Sequence, residues 1–103
     1  MKMKLFQNLH TNFVRAEQWK PEMFAQFRHV ANINIASYCR EIYDVIEEAF
    51  SIHNHFYLDE ERLDRQHSMS VGDIVLFDGV HYIVDPDGFA PVEVFDGSNW
   101  YYK

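Results

Sequence analysis

Apolar and polar residues alternate at two places early in the chain. Met3 and Leu5 interleave with Lys2 and Lys4, and Ala31, Ile33 and Ile35 interleave with Asn32 and Asn34. A period of two is that of a strand with one buried face, which predicts a first strand over 3–9 and a second over 29–35. The period then changes. Ile42, Val45, Ile46, Ala49 and Phe50 recur at three- and four-residue spacing, with Tyr38 one turn earlier and Arg40, Glu41, Asp44, Glu47 and Glu48 opposite. This predicts an amphipathic helix from Ser37, a suitable N-cap, to Phe50 or Ile52. Between the two strands, Pro21 followed by Glu22, Met23, Phe24 and Phe27 predicts a short helix with proline in its first turn and Trp19 packed beneath it.

The second half is organised around a hairpin. Ile74 to Phe77 and Val80 to Val84 are rich in β-branched and aromatic residues, and Asp78-Gly79 between them suits a type I′ turn with positive φ at both positions. That turn sets Phe77 opposite Val80, Val75 opposite Tyr82 and Ile74 opposite Ile83. Both faces of the ribbon then carry large apolar side chains, so other elements must cover both. Pro86, Asp87 and Gly88 make a further turn. Phe89 to Phe95 reads as a strand interrupted by Pro91, which implies an edge or a bulge. Asp96-Gly97 gives one more turn before Trp100, Tyr101 and Tyr102. His53 to Gln66 reads as a polar loop with Phe56, Tyr57, Leu58 and Leu63 as anchors. The expected architecture is α+β in a single domain over 1–103: one main amphipathic helix on a mostly antiparallel sheet, with a C-terminal β-meander.

Composition narrows the class. The aromatic share is 17% and there is one cysteine, Cys39, so an internal disulfide and a zinc site of paired thiolates are both excluded. No apolar run approaches the roughly 20 residues that cross a bilayer, and the first residues lack a signal-peptide pattern. A cytoplasmic location with no membrane partner is expected. Charge is uneven: residues 1–40 hold six Lys or Arg against two carboxylates, while residues 41–103 hold three against fourteen. Glu41, Asp44, Glu47, Glu48, Asp59, Glu60, Glu61 and Asp64 concentrate the acid in one segment, which repels a phosphate backbone and suits a basic protein partner.

Four features invite a chemical reading. His53, His55, His67 and His81 are a candidate metal set, but they lack cysteine partners and a second cluster, and they read as surface or capping residues. Cys39, in the first turn of the expected helix, has no His and acid partners to make it a nucleophile. Asp73, Asp85 and Asp87 around the hairpin could form an acid–base pair, yet their places beside glycine fit turn chemistry better. Ser68, Ser70 and Gly72 lead into a strand rather than a helix, unlike a phosphate-binding loop. The sequence therefore predicts no catalytic residue, no metal and no cofactor.

The run His67, Ser68, Ser70, Val71, Gly72, Asp73, with Asp78-Gly79, Tyr82, Val84, Gly88 and Phe89, resembles YodL-type domains and related small proteins carried by phages and plasmids. Upstream, Val30-Ala31-Asn32, Glu48-Ala49-Phe50 and Asn54-His55 follow the same order of strand, helix and loop, so the likeness covers Val30 to Phe89. Gln66-His67 stands where many relatives have an arginine. The resemblance implies a viral or mobile-element accessory protein without an established active site.

Two functions follow as expectations. In the first, a non-enzymatic protein uses the eight acidic residues above to bind a host protein with a basic surface and inhibit or redirect it, as in anti-defence or host takeover. In the second, a nucleic-acid-binding accessory stacks Tyr82, Phe89, Trp100 and Tyr101 on bases while the basic N-terminal region meets phosphate; net charge disfavours direct binding of this kind. A homo-oligomer stays open in both.

Overall fold

The computed structural model describes residues 2–8, 14–35, 41–55, 60–63, 69–86, 88–95 and 100–101; of Tyr43, Asn54, His55, Trp100 and Tyr101 only the backbone is described. The fold is α+β. Strands β1 (Lys2–Gln7), β2 (Arg28–Asn34), β3 (Glu60–Arg62), β4 (Ile74–Phe77), β5 (Val80–Asp85) and β6 (Gly88–Pro91) form one sheet in the order β3-β2-β1-β4-β5-β6. Every pairing in it is antiparallel. A separate ribbon joins β7 (Val94–Phe95) to β8 (Trp100–Tyr101). Helix α1 (Ile42–His55) lies between β2 and β3 in the chain. No described helix is long and apolar enough to cross a membrane.

The hairpin has the expected register, with Phe77 opposite Val80, Val75 opposite Tyr82 and Ile74 opposite Ile83. Asp78 and Gly79 take φ of +53° and +79°, as a type I′ turn requires. Each face of this ribbon is covered by a different layer. Met3, Leu5, Ala31, Ile33 and Val75 point toward α1 and are fully buried with Val45, Ile46, Ala49 and Ile52 of the helix. The strand period and the helix period thus meet in one core.

The opposite face is built differently. Ile74 and Ile83 are fully buried there, and Phe6 packs edge-on against Phe24 at 5.0 Å and beside His29 at 5.1 Å. Phe24 comes from a 3-10 helix, Pro21–Gln26, with proline at its start as expected. A shorter 3-10 helix, Ala16–Gln18, precedes it. Trp19 between them packs edge-on against Phe27 at 5.6 Å, and its Nε1–H donates to the Glu93 carbonyl at 2.7 Å. Aromatic edges and one indole hydrogen bond thus do on this face what the amphipathic stripe does on the other.

Several boundaries differ from the expectation. In β1 and β2 the register slips between Leu5 and Phe6, where Leu5 faces Ala31 and Phe6 faces His29. Val30 is the extra residue, and the bulge lets it bury alongside Ala31. The segment from His53 to Gln66 is not a loop throughout, since α1 runs to His55 and Glu60–Arg62 adds β3 beyond β2. Leu63 is 47% exposed and so is no core anchor. Phe89 to Phe95 is two strands in two sheets rather than one interrupted strand. Val92 N–H donates to the His81 carbonyl at 2.9 Å, so the Pro91 nitrogen faces outward from the sheet edge, where the missing donor leaves no ladder bond unmade. Ser37, Cys39, Phe56, Tyr57, Leu58 and His67 lie outside the described residues.

Candidate functional site

The acidic segment does not fold into one continuous surface. Glu41, Asp44 and Glu47 are exposed on the outer face of α1 and Glu48 is half-buried beside them. The helix from 42 to 55 contains no lysine or arginine. Among the described residues, nothing makes a hydrogen bond or ion pair to any of these four carboxylates. Asp44 sits in the first turn of the helix and Glu41 just before it, where a carboxylate gains from the helix dipole. Glu47 lies past that turn and has no such local reason to be acidic.

Glu60 is a correction to the expected surface. Its residue pairs with Ile33 and so shares the helix-facing side of the sheet, and its side chain is 1% exposed. One carboxylate oxygen bonds His53 Nδ1, and the other accepts from Arg62 Nε at 2.7 Å. Arg62 also donates to the His53 carbonyl at 3.1 Å. A carboxylate in this position is enclosed and paired, because leaving it unpaired away from water would be costly. It therefore offers nothing to a partner. His53 is corrected as well: it is 2% exposed and continues the apolar stripe three residues after Phe50, so it neither lies on the surface nor merely caps the helix.

Glu61 points to the opposite side of the sheet from Glu60. There it accepts from Asn32 Nδ2 at 2.8 Å, and the Asn32 side-chain oxygen lies 2.7 Å from His29 Nε2. Strand alternation has placed two adjacent glutamates on different faces. Asp59 and Asp64 lie outside the described residues. Among the described residues, the surface assembled from the predicted set is therefore Glu41, just before α1, with Asp44, Glu47 and Glu48 along it.

Beside that run is a groove of about 220 Å³ between α1 and β6, lined by Ile46, Glu47, Phe50, Gly88 and Phe89. The sequence pattern places Phe50 in the core and Phe89 in a strand without bringing them together. The signal for their meeting, Gly88-Phe89 at the start of a strand two hairpins from the helix, is not local. Tyr82 packs edge-on against Phe89, with ring centres 5.8 Å apart and planes at 87°. Burial raises the Tyr82 hydroxyl above its ordinary pKa, and the Asp78 carboxylate adds to the effect. Both rings join the helix-side core as partly buried members.

Asp73 and Asp85 serve the fold, and Asp87 lies outside the described residues. Asp73 is 3% exposed, and its Oδ2 accepts from Gln7 Nε2 and from Ser70 N–H, each at 2.9 Å. Asp85 Oδ1 accepts from Ala16 N–H at 2.9 Å and so fixes the first 3-10 helix to β5. Their side chains leave opposite faces of the sheet, so they do not converge as an acid–base pair. His81, expected as a surface or capping residue, is instead 5% exposed, with Phe24 edge-on at 5.5 Å. Desolvation there holds its pKa below the ordinary histidine value. Among the described residues, no three His, Cys, Asp or Glu side chains are grouped to hold a metal ion. No family model, curated protein or solved structure matches the chain.

Proposed function

We propose that this chain is a non-enzymatic accessory protein of phage or mobile-element type that binds a host protein with a basic surface through the outer face of α1, and inhibits or redirects that protein. The observation that carries this reading is Glu47, which is exposed, makes no ion pair among the described residues and stands beside an apolar groove. Together with Asp44 and Glu41 it presents negative charge on a rigid helix that has no basic residue of its own. Lysine and arginine that bind phosphate accept carboxylates by the same charge-assisted hydrogen bonds, so such a face competes for a basic groove. The likeness of Val30 to Phe89 to YodL-type domains supplies the mobile-element setting.

The test is an affinity capture from host lysate, with and without nuclease, using the wild type and a Glu41→Lys, Asp44→Lys, Glu47→Lys triple variant. A protein captured by the wild type in the presence of nuclease and lost by the triple variant supports the reading. Capture that survives the triple variant, or that disappears on nuclease treatment, overturns it.

A further inference from the structure

Resting on that reading, we propose that the groove between α1 and β6 is the anchor pocket of the docking surface, and that its occupant is a segment of a partner protein presenting one large apolar side chain flanked by lysine or arginine. The groove draws Ile46 and Phe50 from the helix and Phe89 from the strand, so three hydrophobic walls converge on it. At about 220 Å³ it is smaller than the roughly 300–1,000 Å³ of a small-molecule pocket, and it suits a single side chain. Such a pocket with a polar rim is the usual form of a binding hot spot.

Two further features fix how the occupant sits. Gly88 has φ of +143°, a backbone conformation open to glycine, and a Cβ added there would meet nothing within 4 Å. Gly88 pairs with Asp85 and alternates away from Phe89, so what it gives the groove is bare backbone. β6 ends the sheet, but it has four residues and Pro91 turns its nitrogen outward. A partner strand finds no continuous ladder to extend, so it engages by side chain rather than by strand addition. Charge completes the description. Glu47 is itself part of the lining and Asp44 lies three residues earlier on the exposed face, so cationic residues on either side of the anchor meet carboxylates.

The experiment titrates ¹⁵N-labelled full-length chain at low salt with a short peptide of lysine and arginine around one central position, made with leucine, phenylalanine or serine at the centre. A short poly-dT oligonucleotide is a fourth ligand. The leucine and phenylalanine peptides are expected to shift the amides of Phe50, Gly88 and Phe89 and to bind roughly tenfold tighter than the serine peptide, as burial of one large apolar side chain requires. Glu47→Lys, an exposed change whose spectrum reports its own folding, should weaken both by a similar factor. Equal binding of all three peptides, with shifts confined to the amides around Glu41 and Asp44, overturns the pocket and leaves the acidic-face reading standing. Shifts of the groove amides by poly-dT alone overturn both. Absence of any peptide-induced shift overturns the pocket.

Discussion

The carboxylate of Glu60 bonds His53 Nδ1 inside the protein, joining the last turn of α1 to the edge strand β3. Arg62 closes the arrangement by donating to Glu60 Oε1 and to the His53 carbonyl. A short strand of two glutamates and an arginine has no apolar reason to stay on a sheet. This cluster supplies one, and it divides the acidic segment into a structural half and an exposed half.

Glu60→Gln should therefore destabilise the protein by about 2 to 3 kcal/mol, the worth of buried hydrogen bonds to a charged group. Glu61→Gln, its exposed neighbour, should change stability by about 0.5 kcal/mol or less. Urea denaturation of the two variants measures the contrast, and equal effects would mean that the paired carboxylate carries no special weight.

Between the central strands β1 and β4, Asp73→Ala should cost about 1 to 3 kcal/mol, since it removes the acceptor of the buried Gln7 amide and of the Ser70 N–H. Asp73→Asn keeps an acceptor and should recover part of the loss. Thermal unfolding of the pair separates hydrogen bonding from the loss of side-chain volume.

Gly79→Val should cost about 1 to 3 kcal/mol through backbone strain alone. Nothing lies within 4 Å of a Cβ built at Gly79, so a steric clash cannot be the cause. Gly79→Asn, which tolerates positive φ, should lie close to wild type. An unchanged melting temperature for the valine variant would contradict the turn assignment.

His81 makes stability depend on pH in a definite direction. Its folded pKa is lowered by desolvation while the unfolded chain protonates near the ordinary histidine value of 6.5, so the unfolded state binds more protons between those two values. The contribution is fully present above pH 6.5 and is lost as pH falls through the folded value. His81→Leu, beside Phe6 and Phe24, should therefore lose less stability than wild type between about pH 7.5 and about pH 5.5, as read by denaturant unfolding. An equal loss in both proteins would locate the acid sensitivity elsewhere.

What the sequence disclosed follows from how local each cause is. Asp78-Gly79 carries its own backbone requirement, so the hairpin and its register were legible, as were α1 and the two early strands from their periods. β3 was not, because Glu60, Glu61 and Arg62 have no strand propensity and are held by β2, His53 and Asn32, which are distant in sequence. His53 itself falls on the apolar stripe at three residues from Phe50, and a histidine there requires a buried partner. That signal was available and points toward an inward acid. The groove formed by Phe50 and Phe89 depends on how α1 crosses the sheet, which no spacing along the chain encodes.

The most direct test of the account compares the wild type with the Glu41→Lys, Asp44→Lys, Glu47→Lys protein in two binding measurements: affinity for the captured host protein and affinity for a short duplex DNA. All three positions are exposed, and the core stripe of Val45, Ile46, Ala49 and Ile52 is untouched, so circular dichroism should show an intact fold. Partner affinity should fall by roughly tenfold or more, and wild-type binding should weaken with salt, since the contacts are charge-paired and exposed. Retention of full partner affinity by the reversed protein, with a gain in affinity for DNA alone, would contradict the acidic-face reading.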